Sequence, residues 1–557
     1  MRAEAAGPFA AHRKAGDDLL RGGGLFEVVE EEVRGERMAV FAQRPRSIGQ
    51  LVDASAAHGD AEFLVFEGGP RITFAGHRRL VGAAAARLRD DHGIGPGDRV
   101  AICAANHPGW IVTALATMAI GGVVVALNSW WSREELGRAL ELTEPSLLVV
   151  DEKRRDQIGG AAVPTIDIET VLAVLAAGDE DGLDLDGAED DPAILLFTSG
   201  TSGTPKAVVL SHRALLGIVN LGAFLGARAA LAGDPRGAAG GARLAVFPLF
   251  HISGHTGLVT ALAYGGTMVW PLGRFDPGRV IDLTLAEGIT GWTGSATHIG
   301  RLLDHPSIDD VDPHQIQAVG IGGSATRPAL IARLKERFPH LEGSFSSGYG
   351  MTEAAGVVTY ASQAMLTAAP DCVGYPLPTT EIMIVDDDGA EVPEGDIGFV
   401  CVRSPFLMHG YWRNPEADAA AFLPGRWLRT EDVGLVEDGL RHIASRRRDL
   451  IIRGGENVYP AETEDCLDAH PDVIEAAVFG VDDEDLGQVV HAAVVVREPA
   501  TVTEDDLRHH CSQQLAYFKV PVRVTVRAEP LPRNASGKVL KNLLEEDPRA
   551  TVAVDPG

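Results

Sequence analysis

Cysteine is scarce in this chain. Cys103, Cys372, Cys401, Cys466 and Cys511 are the only five in 557 residues. They are odd in number, scattered, and never spaced C-x-x-C, which excludes a disulfide framework and a cysteine zinc site and makes the reducing cytoplasm the expected compartment. Basic residues are also few: 49 Lys and Arg against 78 Asp and Glu give a net charge of −29. A surface that acidic repels nucleic-acid phosphates and anionic lipid, so neither is an expected partner. The first forty residues hold no apolar core of a secretory signal; they mix Arg21, Gly24, Glu30, Glu31 and Glu32, and read as a loosely docked extension. Long hydrophobic runs are missing too, apart from Trp110 to Leu127. Gly121-Gly122 interrupts that run and the β-branched Val123 to Val125 follow, so a buried helix leading into a parallel strand is expected rather than a membrane span. No repeat of fixed period is present.

What is present is a sequence able to fill several packed cores, 45% hydrophobic and 23% charged. Short apolar runs bounded by turn residues, Leu147 to Val150, Ile194 to Phe197, Leu244 to Phe247, Met268 to Trp270 and Ile382 to Val385, alternate with helical stretches. That alternation predicts an α/β architecture with mixed, largely parallel sheets. The acidic stretch Asp179 to Asp191 reads as a solvated connection, and the Ala- and Gly-rich Arg228 to Arg243 as a surface loop. Near residue 445 the texture changes: a hairpin turning at Glu437 to Gly439 runs into the basic Ser445 to Asp449. Strand candidates Ala476 to Val481, Ala492 to Val496 and Val522 to Val526, with a helix from Glu504 to Leu515, then suffice for a small α+β domain. The expected organisation is an extension (1–44), a large multi-subdomain α/β domain (45–445), a hinge (446–449), a small mobile C-terminal α+β domain (450–546) and a tail (547–557).

The strand Ile194 to Phe197 delivers the chain into Thr198-Ser199-Gly200-Thr201-Ser202-Gly203-Thr204-Pro205-Lys206. Hydroxyls, glycines that let backbone N–H groups converge, and one lysine suit a polyphosphate. The spacing is neither that of a Walker loop, which needs glycine where Pro205 stands, nor a G-x-G-x-x-G turn. This string closely resembles the signature of the adenylate-forming superfamily, which contains acyl-CoA synthetases, peptide-synthetase adenylation domains and beetle luciferases. Ala207 departs from the glycine usual there. Further motifs follow in the family's order along most of the chain.

Gly348-Tyr349-Gly350-Met351-Thr352-Glu353 resembles the family's G-Y-G-x-T-E segment. The resemblance implies an adenine wall with Tyr349 on the purine, Thr352 on a phosphate, and Glu353 as an oxygen ligand for the Mg²⁺ that accompanies ATP. Ser347 stands where many members carry an amide. Gly322-Gly323-Ser324-Ala325 resembles the opposite wall of the adenine pocket. Trp427 to Gly434 is similar to W-x-x-T-G-D-x-G with Glu431 in place of glycine, and it assigns Asp432 to the ribose hydroxyls. Arg446 matches an arginine at the domain junction, and Arg448 takes the hinge position, where Asp or Lys is commoner. Ile451 to Glu462 resembles the loop used in thioester formation, where Gly454 and Gly455 leave room for a pantetheine arm. Pro532 to Lys538 resembles the C-terminal catalytic loop, with Lys538 its lysine.

The implied reaction is the ATP-dependent, AMP-forming ligation of a carboxylic acid to coenzyme A through an acyl-adenylate. Lys538, Glu353, Thr352 and Lys206 are its catalytic candidates, and ATP, Mg²⁺ and CoA its cofactors. His251, in Phe247 to Gly254, stands where amino-acid-activating relatives carry an aspartate, so an apolar fatty, aryl or cyclic acid is expected. Gly254, Trp292, Thr293 and Gly323 are expected to line the same pocket. A monomer or homodimer would each fit. The alternatives are a stand-alone enzyme that loads a separate carrier protein, since no carrier segment follows in the sequence, and a catalytically silent nucleotide-binding protein.

Overall fold

A computed structural model describes residues 10–22, 24–159, 163–175, 183, 187–198, 205–231, 241–322, 328–341, 345–369, 372–437, 439–446, 449–453, 456–483, 486–497, 502–534 and 537–545. It is an α/β molecule with a large sheet-rich N-terminal domain and a small C-terminal one.

One sheet of the large domain has six strands in the order Lys206–Ser211, Pro192–Thr198, Val123–Ala126, Arg99–Cys103, Leu147–Val150, Thr165–Asp167. All its pairs are parallel except Pro192–Thr198 with Lys206–Ser211. Val123 to Ala126 are all buried, as a parallel strand covered on both faces requires, and the preceding helix Pro108–Ala119 is buried throughout. Pro108 sits in that helix's first turn, and Gly121 leaves it with φ of +77°. The run from Trp110 to Leu127 is therefore helix and strand inside the domain. A second sheet is parallel through Glu62–Phe66, Thr267–Trp270, Ala242–Leu244, Ile289–Gly294, Ala318–Ile321 and Ser346–Ser347. It then turns antiparallel through Thr359–Ser362, Cys372–Pro376, Leu440–Arg446, Trp427–Glu437, Gly398–Arg403 and Glu381–Val385. The expectation of largely parallel sheets therefore holds for the first half of this sheet only. The C-terminal domain packs Pro460–Asp468 and Glu504–Ser512 with a five-stranded sheet whose long hairpin is Val473–Asp483 and Gly487–Val496.

Three connections differ from the sequence reading. Val28–Val33 and Glu36–Phe41 form a docked hairpin rather than a loose extension, because Phe26 and Phe41 bury against Leu221 and Phe224 of the helix His212–Leu231. The acidic stretch is not wholly solvated: Glu189 is buried, accepting from Arg44 Nε at 2.5 Å and pairing with Arg213 at 3.1 Å. Of the expected loop, Arg228 to Leu231 close the helix and Ala242 to Arg243 are strand, while residues 232–240 lie outside those described. His212–Leu231 is also the one described helix long and apolar enough to cross a membrane. Its Arg213 pairs with Asp190 and Glu189, Asn220 donates to the Gln43 carbonyl, and a Cβ at Gly217 would lie 2.7 Å from Phe406. The helix is thereby anchored within the domain.

Candidate active site

A cleft of about 2530 Å³ runs between the two domains, and Thr198, Lys206, His251, Thr293, Glu353, Asp432 and Lys538 all line it. Its floor is the sheet edge where Lys206 stands opposite Thr198 in an antiparallel ladder. Ser199, Gly200, Thr201, Ser202, Gly203 and Thr204, expected to wrap phosphate, lie outside the described residues. Beside Lys206, the segment 409–412 is stitched onto the same strand: His409 N donates to the Val209 carbonyl at 2.8 Å, Val209 N to Gly410 at 3.0 Å, and Trp412 N to Ala207 at 2.7 Å. This brings the Tyr411 ring under the Lys206 ammonium, 4.9 Å from Nζ to centroid. The Tyr411 hydroxyl donates to Glu353 Oε1 at 3.2 Å. Sequence reasoning missed Tyr411, since only the tertiary fold joins it to either partner.

The segment Gly348 to Glu353 forms one wall of the cleft. Gly350–Met351 pairs with Gly356–Val357 so closely that a Cβ on Gly350 would lie 1.9 Å from the Gly356 carbonyl oxygen, so only glycine is accommodated. Tyr349 donates its hydroxyl to Asp432 Oδ2 at 2.6 Å, joining two motifs 83 residues apart. Asp432 is held from behind as well, its N–H donating to Thr430 Oγ1 at 3.1 Å while the Thr430 hydroxyl donates to the Val400 carbonyl. Arg446 stands opposite Asp432 in the ladder between Trp427–Glu437 and Leu440–Arg446. Gly323, Ser324 and Ala325 of the other expected wall, and Arg448, Gly454 and Gly455, lie outside the described residues.

Toward the end of the cleft expected to take the acid, the turn from Phe247 to Gly254 is braced by Asn106, which donates to the Phe247 carbonyl and accepts from Leu249 N. A Cβ on Gly254 would lie 2.5 Å from the Pro248 carbonyl oxygen, which accounts for glycine there. His251 lies just before the helix Ile252–Tyr264, with its Nε2 buried and without a protein partner among the described residues. Burial pushes its pKa down to about 4, so the imidazole is neutral near pH 7. Thr293 lines the cleft, but Trp292 does not. Alternation along Ile289–Gly294 turns the Trp292 indole into the core, fully buried against Phe338, with its N–H on Thr284 Oγ1 at 3.1 Å. The expectation that Trp292 shapes the acid pocket is therefore corrected.

The C-terminal loop reaches this cleft as a closed turn. Asn534 Oδ1 accepts from Lys538 N at 2.9 Å, Asn534 N donates back to the Lys538 carbonyl at 2.9 Å, and Gly537 takes φ of +83°. Gly537 lies against the large domain, where an added Cβ would be 3.0 Å from Ser295 Oγ. Ser295 caps the helix Ala296–Asp304 reciprocally with His298. Burial, then the Arg301 and Arg533 guanidiniums, push the His298 pKa down to about 4. Arg497 and Asp304 add a long contact of 3.9 Å between the domains.

Comparison with known proteins agrees with this geometry. Residues 51–412 match the model of the AMP-binding enzyme family, and residues 462–538 that of the AMP-binding enzyme C-terminal domain. The chain belongs to the AMP-binding enzyme family. It is 34% identical over 481 residues to a feruloyl-CoA synthase from an Amycolatopsis species, covering 86% of this chain and 94% of that one. Among solved structures it is similar to ATP-bound MatB of Rhodopseudomonas palustris, with a TM-score of 0.78, 31% identity, and 89% of this chain and 98% of that one covered. It is also similar to the o-succinylbenzoate CoA synthetase of Bacillus subtilis in complex with its acyl-adenylate intermediate, with a TM-score of 0.76, 28% identity, and 92% and 99% covered.

Proposed function

We propose that this protein is an AMP-forming carboxylic acid:CoA ligase. A carboxylate does not acylate a thiol directly, because oxide is too poor a leaving group. Attack of a carboxylate oxygen on the α-phosphorus of ATP forms the acyl-adenylate and expels pyrophosphate. The CoA sulfur then attacks the acyl carbon and expels AMP, while the thiol proton passes to solvent.

The first step brings two anions together, so its barrier is largely electrostatic. In this reading Lys206 and Lys538 stabilise the charge that develops on the α-phosphate and the departing pyrophosphate. Thr352 donates to a phosphate oxygen, Asp432 accepts from the ribose hydroxyls, and Tyr349 orients Asp432. Arg446 contacts ribose and phosphate at the domain junction, and Gly454 and Gly455 serve the thioester step. Mg²⁺, when bound with ATP, supplies neutralising charge at the polyphosphate. Glu353 would hold it, a single carboxylate fitting an ion shared with phosphate oxygens, and no cluster of three or more His, Cys, Asp or Glu that could hold a metal occurs among the described residues. The observation that carries the reading is that the Lys538 turn, Lys206, Glu353 and Asp432 line one cleft.

The acid is aryl, cyclic or fatty rather than an amino acid, since position 251 holds a neutral histidine and not a carboxylate that would pair with an ammonium. The reaction is assigned to the cytoplasm, in keeping with five buried cysteines that form no disulfide among the described residues. A panel of hydroxycinnamic, benzoic, polycyclic and fatty acids with Mg²⁺ and ATP tests this. Some member is expected to release pyrophosphate and, on adding free CoA, to yield acyl-CoA and AMP in equal amounts. Production of ADP instead would refute the reading.

A further inference from the structure

We infer that Tyr411 is a positioning residue for adenylation, presenting Lys206 on its ring face and Glu353 on its hydroxyl to one shared polyphosphate. The inference rests on the adenylate-forming reading above. Two opposite charges that serve the same ligand tend to neutralise one another when the cleft is empty. Tyr411 gives each a different partner: the ring's negative face attracts the ammonium, 4.9 Å from Nζ to centroid, and the phenol donates to Glu353 Oε1 at 3.2 Å. An ionised carboxylate only accepts hydrogen bonds, so the Tyr411 phenol is the donor of this pair.

The backbone around it is fixed to both charges. Met408 N donates to the Glu353 carbonyl at 2.8 Å, while His409, Gly410 and Trp412 pair with the strand that begins at Lys206. Tyr411 N itself donates to Asp418 Oδ1 at 2.6 Å. Gly410 passes Asp418 so closely that a Cβ there would lie 2.5 Å from Oδ2. Five residues thus hold the lysine strand, the glutamate backbone and the tyrosine in one arrangement.

Tyr411→Phe and Tyr411→Leu separate the two contacts. ATP binding is measured by calorimetry without acid substrate, with and without Mg²⁺, on folded wild type and both variants. Tyr411→Phe should bind metal-free ATP like wild type, while the factor by which Mg²⁺ tightens binding falls about tenfold with the lost hydrogen bond to a charged group. Tyr411→Leu should lose that factor and also weaken metal-free ATP binding about threefold to tenfold. Full Mg²⁺ tightening in Tyr411→Phe, or wild-type metal-free affinity in Tyr411→Leu, overturns the inference. Should Tyr411→Leu not fold, Tyr411→Phe alone decides on the hydroxyl. A wild type that binds ATP but releases no pyrophosphate with any acid defeats the ligase reading instead, a result distinct from either.

Discussion

Buried histidines set the residue-scale behaviour of this protein. His77 is pushed down to about 3, and His212, His251, His255, His298 and His409 to about 4, with burial the largest cause in each. Between these values and the ordinary imidazole value the unfolded chain binds protons that the folded chain does not. Stability is therefore complete above about pH 6.5 and is lost as pH falls toward 4, each group contributing at most about 1.4 kcal/mol per pH unit. Urea titrations from pH 7.5 to 4.5 should show the midpoint falling steeply below pH 6.5, and a flat profile would contradict this. Residue identity alone did not reveal which histidines are buried, just as it did not separate Trp292 from Thr293. Both stand in one apolar strand, and only its packing shows that the indole faces Phe338 and the threonine the cleft. Asp432 and Glu353 could be singled out because each sits in a contiguous motif, and both line the cleft. Tyr411 was not, because its partners are 58 and 205 residues away.

At the scale of elements, apolar runs were good guides wherever a strand is buried on both faces, as at Leu147–Val150 and Pro192–Thr198. They failed where polar residues find distant partners. Glu189 and the N-terminal hairpin look solvated in sequence, yet the Arg44 and Arg213 side chains that clasp Glu189 are each 5% exposed. Glu31 of the hairpin accepts from Arg44 at 2.6 Å, so one network ties the hairpin to the helix His212–Leu231. Glu189→Ala leaves Arg44 on Glu31 and Arg213 on Asp190 but removes the buried carboxylate they share, and should destabilise the protein by about 1–3 kcal/mol. Chemical denaturation reads that loss, and a change under 1 kcal/mol would show that the network carries little.

For the whole molecule, the two domains meet at the cleft, which residues of both line. The C-terminal domain has its own core, and its lysine turn meets the large domain at Ser295, where a Cβ on Gly537 would crowd the Ser295 hydroxyl at 3.0 Å. The two-domain division and the small α+β unit were readable from the change of texture near residue 445. The docking was not, since Ser295 and His298 belong to no motif and gain meaning only from what packs on them.

On the ligase reading proposed above, Lys538 serves adenylation and not thioester formation, and Lys538→Ala tests this most directly. Pyrophosphate release from ATP and acid should fall at least about 100-fold. Thioester formation from CoA and a supplied acyl-adenylate should stay close to wild type. Equal losses in both half-reactions, or no loss in the first, would contradict the account.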